Sequence, residues 1–526
     1  MDEFPPVSIS GVRKIDAEST VADGDLQMLK VQKNRPVCDE MNDFSAMKWC
    51  ALAGLVALFA QPAAAIVDPE NLGQWERPTE IGPDKEVPGF LVNLGPTGAR
   101  AVLTEDSFVV KHVFEDSPAA GLLKLDDVIT GVNGKAFATH VFGKFYGMQY
   151  DVGYEGPMMD LGNAIEDSEG ANGTLALDVS REGEPIKVEL KLEPIGKFSH
   201  TFPQNCAKSA RLAADALQYL LTRKDESSRH IHEQTKVGLA MLAHGKMDEA
   251  KALAEEWLEP PDETLWTWFP AYRSIFLSEY FLMTGDERVL PTIRTLIERL
   301  YLAQVLDPSL YVDRMHGGRP QAANYLQGGL GHGHRIAGYG TMTITTLLAM
   351  LSWDLAERCG IELNPLHVDL AYACIHEHTH ESGYMGYRFA TGAYTPVGRQ
   401  GLSILVHQMA GNRDTGGHVQ RVTQGLVNAK TRLNDGHGDN AQTVFWALLG
   451  IQAADDEAAT REVFDYNKAF LNLARTHDGA FVVQPDRNAA EKAYYLSPRI
   501  QQTAGMAIVL GTGTPTLKIQ GAAAGE

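Results

Sequence analysis

Two kinds of hydrophobic pattern divide the chain. Between residues 86 and 196, apolar and polar residues alternate over short runs, as in RAVLTEDSFVVKHVF, GTLALDVSREG and EPIKVELKLEP. Alternation with a period of two predicts half-buried antiparallel strands. The pair Asn133-Gly134 follows the run Val128–Val132 and predicts a tight hairpin turn, because both residues tolerate positive φ. With a short helix predicted at about Met158–Asp167, this segment is a β-rich domain.

From residue 200 to 515 the period becomes helical. Amphipathic segments occur in pairs with short polar connections, such as KVGLAMLAHGKMDEAKALAEEWL, and Asp286 is placed to cap one of them. Recurrence at roughly 40 to 60 residues predicts an array of about six helical hairpins. An open solenoid and a closed α/α-toroid both satisfy this pattern. The Gly- and His-rich stretches between the pairs favour the toroid, in which such loops border the cavity.

The segment MKWCALAGLVALFAQPAAA, residues 47–65, predicts a secretory signal peptide. It combines a lysine, a short apolar run and an A-x-A site, and the run is too short for a stable membrane span. Residues 1–46 are then either a start assigned too early, which is the favoured interpretation, or a disordered extension. Residues 66–85 are rich in Pro, Glu and Gly and predict a linker. We expect a secreted or periplasmic protein that begins near Ile66, without a stable membrane span after cleavage.

Composition places the chain among ordinary globular proteins. It has 526 residues, 44% of them hydrophobic and 21% charged, which predicts more than one domain. The net charge of -21 argues against a nucleic-acid partner, which would require a basic face. The five cysteines form no C-x-x-C pair, so buried free thiols are expected, and a Cys359–Cys374 bridge is the alternative.

A series of short motifs resembles a known family. NLGPTGARA, SPAAGLLKLDDVITGVNGK, CAKSAR, GYGTM, GRQG, GHGDNAQTVFWALLG and HDGAFVVQP occur in this order. Together they resemble a secreted bacterial family of unknown function, in which a PDZ domain precedes a toroid related to terpenoid cyclases and prenyltransferases. The resemblance implies a multidomain fold class, with a β-rich PDZ domain over 86–196 and an all-α (α/α) toroid of about six helical hairpins over 200–515. The DxDD-type acidic cluster of cyclases does not occur in the sequence. The resemblance therefore implies a fold and not a reaction.

A PDZ domain implies a peptide partner. Such domains bind an extended peptide as an added strand, and backbone amides hold its terminal carboxylate. In NLGPTGA two glycines permit close backbone approach, whereas Pro96 removes one N–H donor. We therefore expect a peptide or protein C-terminal segment along Arg100–Leu103, with little dependence on a free carboxylate. The predicted peptide-binding residues are Leu94, Gly95, Gly98, Ala99 and Arg100.

The stretch IHEHTHESGYMG contains the zinc-protease pattern H-E-x-x-H. His376 and His380 would share one face of a helix and bind zinc, with Glu377 as the base. However, the third ligand of the extended pattern would stand at Gly386, and no strand sheet is predicted nearby. A solvated helix terminus is the favoured interpretation. No cofactor is predicted, and zinc bound at His376 and His380 is the alternative.

Two glycine-rich stretches, GGLGHGHRIAGYG and DGHGDN, can expose acid and base groups in a cavity. Glycines that form tight turns and histidines that cap helices are the simpler interpretation. The aromatic residues of LWTWFPAYR belong either to a sugar-binding cleft or to the core. We expect an enzyme that acts on a polysaccharide as a lyase or hydrolase. A non-catalytic binding or scaffolding protein and a zinc metalloprotease are the alternatives. The predicted catalytic residues are His332, His334, Tyr339, His437 and Asp439.

Overall fold

The chain divides into two units, Met1–Gln61 and Pro62–Glu526, and every residue described below belongs to the second. The computed structural model describes residues 90–140, 153–223, 230–259, 267–311, 315–316, 319–320, 325–332, 340–392, 397–411, 413–414, 416–433, 440–482, 498–511 and 516–521. The predicted signal peptide and linker, and residues 1–46, lie outside these ranges.

An antiparallel sheet of seven strands opens the described chain. Its strands are β1 (Phe90–Asn93), β2 (Ala99–Leu103), β3 (Phe108–Val113), β4 (Val128–Val132), β5 (Lys135–Ala136), β6 (Thr174–Arg181) and β7 (Glu184–Lys191). The strand order in the sheet is β1-β2-β3-β4-β6-β7, and β5 pairs with β4. The predicted β4–β5 hairpin is confirmed, since Asn133 and Gly134 have φ values of 54° and 77°. The β6 and β7 strands pair in register from Thr174↔Lys191 to Arg181↔Glu184.

One helix, α1 (Pro157–Glu169), packs against β4 and β6 and covers the sheet. It buries Leu161, Ala164 and Ile165, whose spacing places them on one helical face. The predicted β-rich region with a short helix is therefore present.

Twelve further α-helices follow within the described residues. Their burial differs: the helix His418–Asn428 buries a stripe with Val419, Val422 and Leu426, whereas the helix Thr343–Arg358 buries almost every residue from Thr343 to Ala356. The helices are α2 (Ala207–Thr222), α3 (Ile231–Ala243), α4 (Met247–Glu256), α5 (Trp268–Thr284), α6 (Leu290–Ala303), α7 (Thr343–Arg358), α8 (Pro365–His378), α9 (Gly398–Ala410), α10 (His418–Asn428), α11 (Asn440–Ala453), α12 (Glu457–Ala474) and α13 (Pro498–Leu510). A short ribbon, β8 (Met315–His316) and β9 (Arg319–Pro320), lies between α6 and α7.

Helix packing follows a regular order. The helices α3, α5, α7, α9, α11 and α13 pack in sequence, and α13 packs in turn against α3. We call these six the inner helices. Each inner helix also packs against one of α2, α4, α6, α8, α10 and α12, the outer helices. The inner helices bury residues on nearly all sides because they have neighbours on both sides in this order.

The sheet region packs directly on the helical region. Helix α1 lies along α12, and the ring of Tyr154 stacks on that of Phe470 with centroids 4.9 Å apart. The side-chain amide of Asn93 donates to the carbonyls of Leu473 and Arg475, both at 2.7 Å. The two regions therefore form one continuous packed body. Among the described helices, each is too short or too polar to cross a bilayer.

The cysteines of the described chain offer a direct test of packing. Cys206, Cys359 and Cys374 are buried free thiols, and burial raises the pKa of Cys359 and of Cys374 to about 12. Because the thiolate is the reactive form, we expect neither Cys359 nor Cys374 to be alkylated in the native protein at neutral pH. Both should react fully after denaturation without reductant. Mass spectrometry of the two peptides measures this, and a Cys359–Cys374 disulfide would instead leave both unreactive until reduction.

Candidate functional site

Buried polar side chains gather at the N-terminal ends of three inner helices. His232 is the second residue of α3, Trp268 is the first of α5, and Gln442 is the third of α11. With Tyr272, Trp446 and His332, they form what we call the inner-helix cluster. Its hydrogen bonds connect α11 to α3 and to α5. Helix α11 is adjacent to neither of them in the order of inner helices. The cluster therefore joins inner helices that are not neighbours in that order.

The donor capacities in this cluster fix the orientation of Gln442. Trp446 Nε1 can only donate, and it lies 3.1 Å from Gln442 Oε1. The Tyr272 hydroxyl donates to the same oxygen. Gln442 Nε2 must then donate to His232 Nδ1, at 3.0 Å. The neutral imidazole of His232 consequently carries its proton on Nε2.

The same reasoning applies to His332. Trp268 Nε1 donates to His332 Nδ1 at 3.0 Å, so the neutral His332 also carries its proton on Nε2. The main chain supports this position, because Thr267 N donates to His332 O at 2.6 Å. The Trp268 ring lies close to both imidazoles, with its centroid 5.2 Å from that of His232 and 6.1 Å from that of His332. Two oriented N–H groups, a phenol and an indole face are thus combined, a set suited to hydroxyl-rich ligands.

The five predicted catalytic residues can be placed only in part. His332 is half-buried and belongs to the inner-helix cluster. His334, Tyr339, His437 and Asp439 lie outside the described residues. In sequence, His437 and Asp439 directly precede α11, which carries Gln442.

The five predicted peptide-binding residues, Leu94, Gly95, Gly98, Ala99 and Arg100, are all buried. A Cβ added at Gly95 would lie 2.7 Å from the carbonyl oxygen of Asn472, so this loop abuts the end of α12. Strand β2, where a peptide was expected to add, already pairs with β1 on one edge and β3 on the other. A peptide at β2 would have to displace one of these neighbours, and the peptide-binding role stays a prediction.

The H-E-x-x-H pattern does not form one helical face. Helix α8 ends at His378, so His380 lies beyond it and bonds Ser382 Oγ through Nδ1 at 2.8 Å. Glu377 is exposed. His376 instead approaches His407 on α9 and His418 on α10. Among the described residues, this is the histidine group whose ring nitrogens could hold a metal ion.

The three histidines lie in a dry environment. His407 and His418 are fully buried, and His376 is partly buried. Burial lowers the pKa of His376, lowers that of His407 to about 4, and lowers that of His418 to about 2. All three imidazoles are therefore neutral at neutral pH, the protonation state that binds metal ions.

Sequence reasoning missed His232, Gln442, His407 and His418. His232 and Gln442 stand within the first turn of their helices, where the inner-helix cluster forms. The stretch LWTWFPAYR, which contains Trp268 and Tyr272, indicates either a sugar-binding cleft or the core. No local signal relates His376 to His407 and His418, because the three come from separate helices.

These observations define a class of protein, in which an antiparallel sheet is followed by a helical region whose inner helices carry a buried polar cluster. The chain belongs to the family described as a domain of unknown function, DUF6288, whose model matches residues 209–521 and thus more than half of the chain. None of the curated proteins compared with the chain matches it.

Proposed function

We propose that this protein is a secreted enzyme that acts on a polysaccharide at the inner-helix cluster. The observation that carries the proposal is the set of hydrogen bonds through Gln442, which orients His232 and Tyr272 toward defined hydrogen-bonding roles. Buried polar networks with fixed tautomers are a common feature of sites that bind or transform polar ligands. The signal-like residues 47–65 support export.

The finer fold assignments belong to the same proposal. The helical region is an α/α-toroid, and support comes from the inner helices, whose packing order returns from α13 to α3. The sheet region is a PDZ-like module, supported by SPAAGLLKLDDVITGVNGK and by the β4–β5 hairpin. Because its glycine loop abuts α12, this module acts as a fixed part of the enzyme.

The chemistry follows from the donors and acceptors. With Nδ1 engaged, neutral His232 and neutral His332 each carry the proton on Nε2, and an N–H of this kind is a donor that carboxylate and hydroxyl oxygens accept. Tyr272 can act as a base only as the tyrosinate, which accepts a substrate proton and so becomes the phenol that donates to Gln442 Oε1. Trp268 supplies a flat apolar surface of the kind on which sugar rings stack. Proton transfer in a lyase or hydrolase then involves Tyr272 together with the predicted His334, Tyr339, His437 and Asp439.

Two matched variants on one helix test the proposal. Tyr272→Phe removes a hydroxyl of the inner-helix cluster, whereas Tyr280→Phe removes one that bonds Asp286 at the other end of α5. With a panel of neutral and acidic polysaccharides, new reducing ends and unsaturated products measure turnover. We expect Tyr272→Phe to lower turnover at least about 100-fold, the usual contribution of acid–base catalysis, and Tyr280→Phe to leave it unchanged.

A third variant, His232→Asn, keeps an acceptor for Gln442 and removes the Nε2 donor, so it should weaken oligosaccharide binding measured by calorimetry. Equal turnover in both tyrosine variants would place the reaction elsewhere. If the wild-type protein neither cleaves nor binds any polysaccharide of the panel, the proposal fails. A non-catalytic scaffolding role is then the remaining alternative.

A further inference from the structure

Three consecutive outer and inner helices each contribute one histidine to a compact group. His376 lies in the last turn of α8, His407 in the last turn of α9, and His418 is the first residue of α10. One ring nitrogen of each lies within 4.8 Å of those of the other two. The imidazole rings are stacked, with centroids 4.0 Å apart for His407 and His418 and 4.6 Å apart for His376 and His418.

Each ring has one buried nitrogen without a hydrogen-bond partner. These atoms are Nε2 of His376, Nε2 of His407 and Nδ1 of His418. A buried polar atom left unpaired is costly, and native proteins rarely leave several together. No protein group of the described chain satisfies these three, so a ligand that accepts three nitrogen lone pairs would account for all of them.

Ser403 orients two of the rings. Its carbonyl oxygen accepts the Nδ1–H of His407 at 2.8 Å, which assigns the proton to Nδ1 and the lone pair to Nε2. Its hydroxyl lies 3.0 Å from His418 Nε2, the ring nitrogen opposite the unpaired Nδ1. Partners of this kind, which hold the far nitrogen of a histidine, are characteristic of metal sites.

We propose that His376, His407 and His418 bind one Zn²⁺ ion. Three imidazoles form a borderline-soft donor set that suits zinc, and three protein ligands leave a fourth position for solvent or another oxygen. Asp414, whose carboxylate caps α10 through Val419 N at 3.0 Å, provides negative charge beside His376 and His407. Because zinc–nitrogen bonds are about 2.0–2.1 Å long, binding draws the three nitrogens closer together and rotates the rings out of their stack.

The bound ion would join α8, α9 and α10, which belong to successive helix pairs. This site is separate from the inner-helix cluster, and none of its residues takes part in the proposed polysaccharide chemistry. Its test therefore stands or fails independently of the enzyme proposal.

The test uses the full-length exported protein after removal of metals with a chelator. Titration with Zn²⁺ against a chromophoric chelator measures affinity, and elemental analysis measures stoichiometry. We expect one zinc per chain. His376→Ala, on the partly exposed ring, should weaken binding more than about 100-fold, because even the loss of a group that only orients a ligand costs about 10–100-fold. Ser403→Ala should fall within that lower range.

His380→Ala is the matched control, because it removes the other histidine of the H-E-x-x-H pattern and leaves the three ligands intact. It should retain zinc at wild-type affinity. Substitution with Co²⁺ should produce visible absorption bands of a four-coordinate nitrogen site in the wild type and in His380→Ala, and these should be lost in His376→Ala. A folded wild-type protein that takes up no zinc would overturn the proposal, as would equal loss of zinc in His380→Ala and His376→Ala.

Discussion

Replacing Glu169 with glutamine is expected to destabilise the protein by about 3–5 kcal/mol, the usual cost of breaking a buried ion pair. Glu169 on α1 is buried between two cations, Lys208 of α2 at 2.9 Å and Arg475 after α12. Both cations are buried as well. Burial and the nearby Arg475 lower the pKa of Lys208, and Glu169 and Glu166 oppose that shift. The variant would leave Arg475 without this carboxylate in a dry interface.

A matched control lies two residues earlier on the same helix. Asp167 pairs with Lys197 at 2.6 Å, but both side chains are more than half exposed. Asp167→Asn should therefore leave the midpoint of urea denaturation close to that of the wild type. Adding Arg475→Met to Glu169→Gln should recover part of the loss, because an apolar side chain needs no partner. Equal midpoints for Asp167→Asn and Glu169→Gln would contradict the buried network.

Replacing Gly450 with alanine should lower the free energy of unfolding by about 3 kcal/mol or more, at the upper end of the usual cost of overpacking. A Cβ at position 450 on α11 would lie 1.9 Å from the carbonyl oxygen of Gly401 and 2.4 Å from its Cα. Both are backbone atoms of α9, so the contact is relieved only if the two helices move apart. The added helix propensity of alanine, about 1 kcal/mol, is too small to offset this.

Gly505→Ala is the control for helix propensity. Its new Cβ would meet the Phe445 ring at 3.2 Å, a side chain that can shift by a few tenths of an ångström. The gain in stability from the higher helix propensity of alanine should then roughly offset the cost of crowding Phe445. The midpoint of urea denaturation should therefore change little. If Gly450→Ala and Gly505→Ala unfold at the same urea concentration, α9 and α11 do not approach as closely as described.

The Glu169 network also bears on how the sheet region functions. Ion pairs, the Asn93 amide and the Tyr154–Phe470 stack hold this region to α12 and the residues after it. A sheet region fixed in this way cannot present its glycine loop as an independent PDZ domain would. The peptide partner predicted from the sequence would have to bind another surface or separate the two regions.

Local features of the chain were predictable from the sequence alone. Alternation predicted β6 and β7, and Asn133-Gly134 predicted the hairpin turn. Asp286 caps the 3-10 helix Glu287–Val289, directly before α6, by accepting a hydrogen bond from Arg288 N. Each of these depends on residues within a few positions of one another. Backbone conformation and side-chain direction are set locally, so the period of the pattern is sufficient to find them.

The candidate sites required the tertiary structure. The bond from Gln442 to His232 joins residues 210 positions apart, and it exists because α3 and α11 bring their N-terminal ends together. The local pattern pairs His376 with His380, whereas the structure places His376 beside His407 and His418, and α8 ends before His380. Sequence spacing defines one face of one helix. The packing of apolar surfaces decides which faces of separate helices meet. The spacing of residues along the chain does not contain that information.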